Sequence, residues 1–208
     1  FNGEIYNYKE LKLELESIGY KFRTNSDTET ILYCFEEYGY DFVQKLNGMF
    51  AIAIWDKRKR QLFIARDRLG IKPLYYYLDN DKLLFASEIK SILEDRSIER
   101  EIDINGLDLY FSYAFIPAPY SIFKNIYKLE PGHYLISNIE GINIKRYWNL
   151  DFSVNRIKKE NDFIEEFSHI FNDSVKLRMI SDVPVGALLS GGIDSSAIVE
   201  AMSRNSSR

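Results

Sequence analysis

The feature that most limits what this chain can fold into is residues 181–196, SDVPVGALLSGGIDSS in one-letter form. Its apolar run, residues 183–189, has little alternation, which is the habit of a strand covered on both faces in a parallel sheet. The run breaks at Ser190-Gly191-Gly192, after which Asp194 or Ser195 is placed to cap a new helix. Strand, glycine turn and helix N-terminus together make an anion site, because glycines admit close backbone approach and free amides with the helix dipole favour negative charge. The spacing excludes a Walker-type loop, since Gly192 stands where that motif needs a lysine. Read alone, Ser190-Gly191-Gly192 is equally a plain tight turn.

With 208 residues the chain can build one large or two modest cores. A hydrophobic share of 46% against 28% charged residues argues against disorder. The net charge of −4 supplies no basic field, so neither nucleic acid nor a membrane surface is expected as a partner. No segment is long and apolar enough to span a bilayer as a helix. The single cysteine, Cys34, cannot form an internal disulfide, which fits a reducing cytoplasm. It lies within an apolar helical pattern with no histidine or basic group close in sequence, and reads as a buried, inert thiol.

In chain order, Asn2-Gly3 reads as a turn on pattern alone. From Tyr8 the spacing predicts a helix with Leu11, Leu15 and Ile18 on one face and Gly19 at its end. A second helix follows Ser26-Asp27, either of which can cap it, with Ile31, Phe35 and Tyr38 sharing a face and Gly39 closing it. A short third helix over residues 41–46 leads to strands at 49–55 and 61–66, joined by a basic, solvated turn. Strands at 73–78 and 83–86 flank Asp79-Asn80-Asp81, and Ser87 is placed to cap a short helix. A helix at 105–113 and two strands within 127–147 follow. Residues 151–160 are polar and read as a linker between units at 1–150 and 161–208. The second unit opens on an amphipathic helix, residues 161–179, expected to bury Phe163, Phe167, Ile170, Phe171 and Leu177. Helices, then antiparallel strands, then the first unit of a parallel sheet suggest an α+β domain followed by the start of an α/β domain.

The 181–196 string resembles the pyrophosphate-binding loop of the N-type ATP pyrophosphatases, and the residues before its glycines narrow this to the asparagine synthetase family. Residues 2–7, 26–29, 47–51 and 66–76 together resemble the class II glutamine amidotransferase domain attached to those synthetases, and residues 128–132 fit the same family. The resemblance covers nearly the whole chain. It implies an N-terminal-nucleophile-type αββα sandwich of antiparallel sheets, followed by the first strand, loop and helix of an adenine-nucleotide pyrophosphatase-type α/β domain.

It also implies roles. Glutamine hydrolysis passes through an oxyanion that needs preorganised donors, and the resemblance assigns these to the Asn2 side-chain amide and the Gly3 N–H. Asn2, Glu4 and Asp27 would hold the substrate glutamine, the two carboxylates meeting its ammonium. Ser190, Gly191, Gly192, Asp194 and Ser195 would hold the pyrophosphate of ATP, with Leu188 beside the adenine and ribose and Asp194 acting through Mg²⁺. Arg66 and Asp67 read as a structural pair at a strand end. The family's nucleophile is an N-terminal cysteine whose own amino group is the base, and these 208 residues do not include it. The chain is therefore expected to be an interior piece of a longer protein, unable to hydrolyse glutamine by itself. The implied whole activity is amidation of ATP-activated aspartate with ammonia from glutamine. Its rivals are amidation of another carboxylate, or a truncated module without catalysis. A homodimer is among the assemblies the sequence allows.

Overall fold

The computed structural model describes residues 1–79, 82–153, 159–181 and 183–206. Asn80 and Asp81 of the expected turn, residues 154–158 of the expected linker, and Asp182 lie outside them. The chain divides into two compact units, Phe1–Leu150 and Asp151–Arg208.

In the first unit, β1 (Asn2–Ile5), β2 (Gly48–Asp56), β3 (Gln61–Arg66), β7 (His133–Asn138) and β8 (Gly141–Arg146) form a five-stranded sheet in the order β1-β2-β3-β7-β8. A three-stranded sheet has the order β5-β4-β6, from β4 (Tyr75–Leu78), β5 (Leu83–Ala86) and β6 (Ile126–Lys128). Every pairing in both sheets is antiparallel.

Strand periodicity then sorts the side chains into layers. Phe50, Ile52 and Ile54 of β2, Phe63 and Ala65 of β3, and Tyr134 of β7 face one way. There they meet Leu11 and Leu15 of α1 (Tyr8–Ser17), Ile31 and Cys34 of α2 (Asp27–Tyr38), and Phe42 and Val43 of α3 (Phe42–Lys45). The alternate residues, Ala51, Ile64 and Leu135, face the other way onto Tyr76 of the smaller sheet and the flanking Leu74 and Leu129. That sheet's outer face, Tyr77 and Ile126, packs on Ile92 and Ile98 in and after α4 (Ile89–Ile92). Helix, sheet, sheet, helix: the layering is the αββα sandwich.

Local chemistry explains most element bounds. The α2 helix starts where the Ser26 hydroxyl accepts the Thr28 amide, and α5 (Ile104–Tyr113) where Asp103 accepts two amides. Ile18 lies just past the end of α1 and is exposed, so that helix packs through the buried Leu11 and Leu15 with Tyr8 half-buried beside them. Asn2 and Gly3 are not a turn. They belong to β1, whose pairing with β2 supplies backbone partners that a four-residue segment cannot supply for itself.

The second unit holds α6 (Glu160–Arg178) and α7 (Ile193–Asn205), which pack through Val175 and Ala201. Two expectations fail here. Residues 183–189 form no strand, and Val183, Val185, Leu188 and Leu189 are exposed. A strand needs a neighbour for its amides and carbonyls, and among the described residues none pairs with this run. Phe163, Phe167 and Ile170 of α6 are likewise exposed within their unit, and only one turn of the helix meets α7 closely enough to bury a side chain.

Candidate functional site

The first unit gathers its predicted residues at one place. β1 is the end strand of the larger sheet among the described residues, so one side of it is open. Pairing in an antiparallel ladder alternates along the strand. Tyr6, next after β1, donates its amide to Asn47 O at 2.8 Å on the β2 side. Ile5 turns its amide the other way and donates to Asp27 Oδ2 at 3.2 Å. Gly3 shares that alternation, so its amide faces the open edge as well.

Gly3 has to be glycine. A β-carbon there would lie 2.0 Å from Met49 O and 2.8 Å from Phe50 Cα, and its φ of +151° is a conformation side chains rarely adopt. The close approach of β2 thus requires a residue without a side chain, which leaves its N–H uncovered on the other side. Asn7 completes the stitching: its Nδ2 donates to Lys45 O and its Oδ1 accepts from the Asn47 amide, both at 2.9 Å.

Ser26 is the cap of α2, so the Asp27 carboxylate is released from capping and reaches β1 beside Glu4. The loop before it is set by Glu29, which accepts from the Arg23 and Thr24 amides and from Thr24 Oγ1. Those bonds, the Thr24 hydroxyl foremost, hold the Glu29 carboxyl below the usual range. Glu4 is exposed on β1. Two carboxylates and an outward amide on one strand edge suit a ligand carrying both a cation and an acyl oxygen. Asn2 donates through Nδ2 to Ser87 Oγ at 3.4 Å. Nothing in the sequence pointed to Ser87, because the contact spans 85 residues and pattern arguments see only local neighbours.

Arg66 and Asp67 are structural, as expected, although both bond backbone rather than each other. Arg66 donates to the carbonyls of Gly70, Lys72 and Leu129. Asp67 is 1% exposed and accepts the amides of Phe50, Leu69, Ile71 and Lys72. Its own amide donates to Phe50 O, so Asp67 clasps the β2 residue that pairs with Gly3. Cys34 is fully buried under the helices, and burial pushes its thiol up to about 12. It is no nucleophile.

In the second unit, Gly191 takes a φ of +83°, turning the chain into α7, whose N-cap is Gly192 rather than Asp194 or Ser195. With Ile193 already helical, those two polar residues fall within the first turn instead. Ser195 Oγ donates to Gly192 O at 3.0 Å and lies 2.9 Å from Ser190 Oγ. A β-carbon on Gly192 would sit 3.6 Å from Ser190 Oγ and 3.9 Å from Ser195 Oγ, both ordinary contact distances. Hydroxyls at a helix N-terminus are groups that favour an anion. Asp194 is exposed, and Leu188 is 98% exposed. Among the described residues no three metal-ligating side chains cluster. A lone carboxylate suits Mg²⁺ only where phosphate oxygens complete its shell.

An open-edged αββα sandwich with an Asn-Gly pair and acidic groups on its end strand defines a class, and comparison with known proteins agrees. Residues 1–148 match the model of the glutamine amidotransferase domain, and the chain belongs to that family. Residues 166–208 match the asparagine synthase model, so the amidotransferase domain is followed by the start of an asparagine synthase domain. Among similar proteins, asparagine synthetase (glutamine-hydrolyzing) 1 of Bacillus subtilis is 46% identical over 96% of this chain. Asparagine synthetase (glutamine-hydrolyzing) 3 of the same organism is 42% identical over 95%. Amidase chry2 of Gibberella zeae is 37% identical over 95%. The chain spans about a third of the length of these relatives: 31%, 32% and 29%. A solved glutamine phosphoribosylpyrophosphate amidotransferase from B. subtilis shares the fold, with a TM-score of 0.50 at 22% identity over 97% of this chain and 43% of its own.

Proposed function

We propose that these residues belong to a glutamine-dependent asparagine synthetase, the first unit hydrolysing glutamine and the second gripping ATP. The observation that carries the reading is the open edge of β1, where the Gly3 amide and Asn2 side chain stand beside Glu4 and Asp27. Glutamine would lie along this edge. Its ammonium meets the Glu4 and Asp27 carboxylates, Asn2 helps hold it, and its amide oxygen comes to rest against Asn2 Nδ2 and the Gly3 amide. As the carbonyl becomes tetrahedral its oxygen gains charge, and two fixed donors stabilise it without reorganising. The attacking group is the family's N-terminal cysteine, which must come from outside these 208 residues because Cys34 is sealed in the core.

In the second unit, the amides of Gly191 and Gly192 with the Ser190 and Ser195 hydroxyls would bind the pyrophosphate of ATP. Asp194 would hold Mg²⁺ against it, and Leu188 would meet the nucleoside through its backbone. ATP supplies the activation of the aspartate carboxylate that ammonia then attacks, leaving asparagine, AMP and pyrophosphate. Keeping both ammonia and the activated acid from water is a requirement on the whole protein. A thiol that stays reduced agrees with a cytoplasmic site of action.

The test is to replace Asn2 by Ala in the full-length protein and compare asparagine formation from glutamine with that from ammonium. Losing one oxyanion donor should lower the glutamine-dependent rate about 10²–10³-fold relative to the ammonium-dependent one. Equal loss of both, or of neither, contradicts the reading. If aspartate is not amidated with either nitrogen source, the alternative of another carboxylate as acceptor takes its place.

A further inference from the structure

Ser87 follows β5, where local pattern expects its hydroxyl to cap the short helix ahead. It does not. The N-cap of α4 is Glu88, with φ −136° and ψ 141°, and no side chain accepts from that helix start. The Ser87 hydroxyl instead accepts a hydrogen from Asn2 Nδ2 at 3.4 Å. β1 ends the five-stranded sheet and β5 ends the three-stranded one, so this contact joins the two sheets where Asn2 and Gly3 present their donors.

An asparagine carboxamide has two ends of nearly the same shape, and only the nitrogen end can donate. Rotation about its terminal torsion is broad and roughly two-fold. An unheld Asn2 would therefore offer its oxygen to the site for part of the time, where it would repel a developing oxyanion. The Ser87 hydroxyl takes one Nδ2 hydrogen, which hinders rotation of the carboxamide and leaves the second hydrogen for the substrate. Preorganisation of this kind is what gives an oxyanion donor its value.

We propose that Ser87 is a positioning residue for Asn2, orienting its carboxamide as an oxyanion donor without touching the substrate. This rests on the reading of the first unit as a glutaminase.

The experiment uses the full-length protein and steady-state glutamine hydrolysis, normalised to the ammonium-dependent synthetic rate of the same preparation. Ser87→Ala should lower kcat about tenfold, a part of what a whole donor contributes, with KM held within about twofold. Ser87→Thr keeps the hydroxyl and should restore most of kcat. Because Ser87 acts through Asn2, adding Ser87→Ala to Asn2→Ala should cost nothing further. An unchanged kcat in Ser87→Ala overturns the proposal. So does a tenfold cost that persists beside Asn2→Ala, or a Ser87→Thr that fails alongside Ser87→Ala with KM raised. The underlying reading fails separately: no glutamine hydrolysis by the unsubstituted protein would sink the glutaminase itself, and wild-type hydrolysis by Asn2→Ala would sink Asn2 as its oxyanion donor, whereas an inactive Asn2→Ala beside a wild-type Ser87→Ala sinks only the role of Ser87.

Discussion

Asp67→Asn is the substitution that most directly tests how the first unit is fastened. The Asp67 carboxylate accepts Leu69 and Ile71 amides on Oδ1 at 3.1 and 2.9 Å, and Phe50 and Lys72 amides on Oδ2 at 3.2 and 2.9 Å. Asparagine has the same outline, but one of its two ends becomes an NH₂ that must face two N–H donors. Two backbone amides then lose their partner, at about 1–3 kcal/mol each where buried. Three of the four bonds are only part-buried, so the lower end applies and the expected loss is about 2–4 kcal/mol. At roughly 2–4 °C per kcal/mol for a chain of this size, Tm should fall by about 5–15 °C. Both tryptophans, Trp55 and Trp148, lie in the first unit, so tryptophan fluorescence of the 208-residue chain during urea unfolding reports on it specifically. The midpoint should drop with an unchanged slope. A loss under about 0.5 kcal/mol, the range of an ordinary surface change, refutes the claim that Asp67 is the clasp.

Three further outcomes are expected. Cys34 should resist a thiol reagent at neutral pH until the chain is unfolded. Its thiol is held up to about 12 by burial, against about 8.5 in an unfolded chain. The folded state keeps a proton that the unfolded chain releases, so this contribution is whole below about pH 8.5 and is lost as pH rises toward 12. Between pH 7.5 and 9.5 the wild type should lose roughly 1.4 kcal/mol more stability than Cys34→Ala in urea titrations, and equal losses would contradict the assignment. Gly3→Ala must push β1 off Met49 O and Phe50 Cα, so glutamine hydrolysis by the full-length protein should fall about 10²-fold or more, while an unchanged rate would remove Gly3 from the site. Gly191→Ala forces a side chain into the left-handed region, at about 1–2 kcal/mol. It should slow ATP-dependent pyrophosphate release while leaving glutamine hydrolysis in place; loss of both would deny that the two sites are separate.

Periodicity in the sequence was enough to find α1, α2, β2 and β3, because each carries a one-sided apolar pattern that the fold then buries. β1 was hidden. Four residues beginning with Asn-Gly look like a turn, and only the approach of β2 makes them a strand. The run 183–189 errs in the opposite direction, since apolar residues announce a strand while ladder partners decide it. In the same way the pattern of α6 shows that Phe163 and Phe167 belong on a buried face, but not what buries them. The site was legible as Asn2, Gly3, Glu4 and Asp27 through family motifs. What the motifs lacked was direction: that odd residues of β1 aim their amides outward, that Ser26 frees Asp27, and that Ser87 reaches Asn2. Those facts depend on contacts between distant segments and have no local signature.

On the proposed function, nitrogen released at the β1 edge ends on an ATP-activated aspartate. Glutamine labelled with ¹⁵N at its side-chain amide, given to the full-length protein with aspartate and ATP, tests it most directly. The expected product is asparagine carrying the label in its own amide, with one AMP and one pyrophosphate formed for each. Labelled ammonia without labelled asparagine, or ATP cleaved to ADP and phosphate, would contradict it.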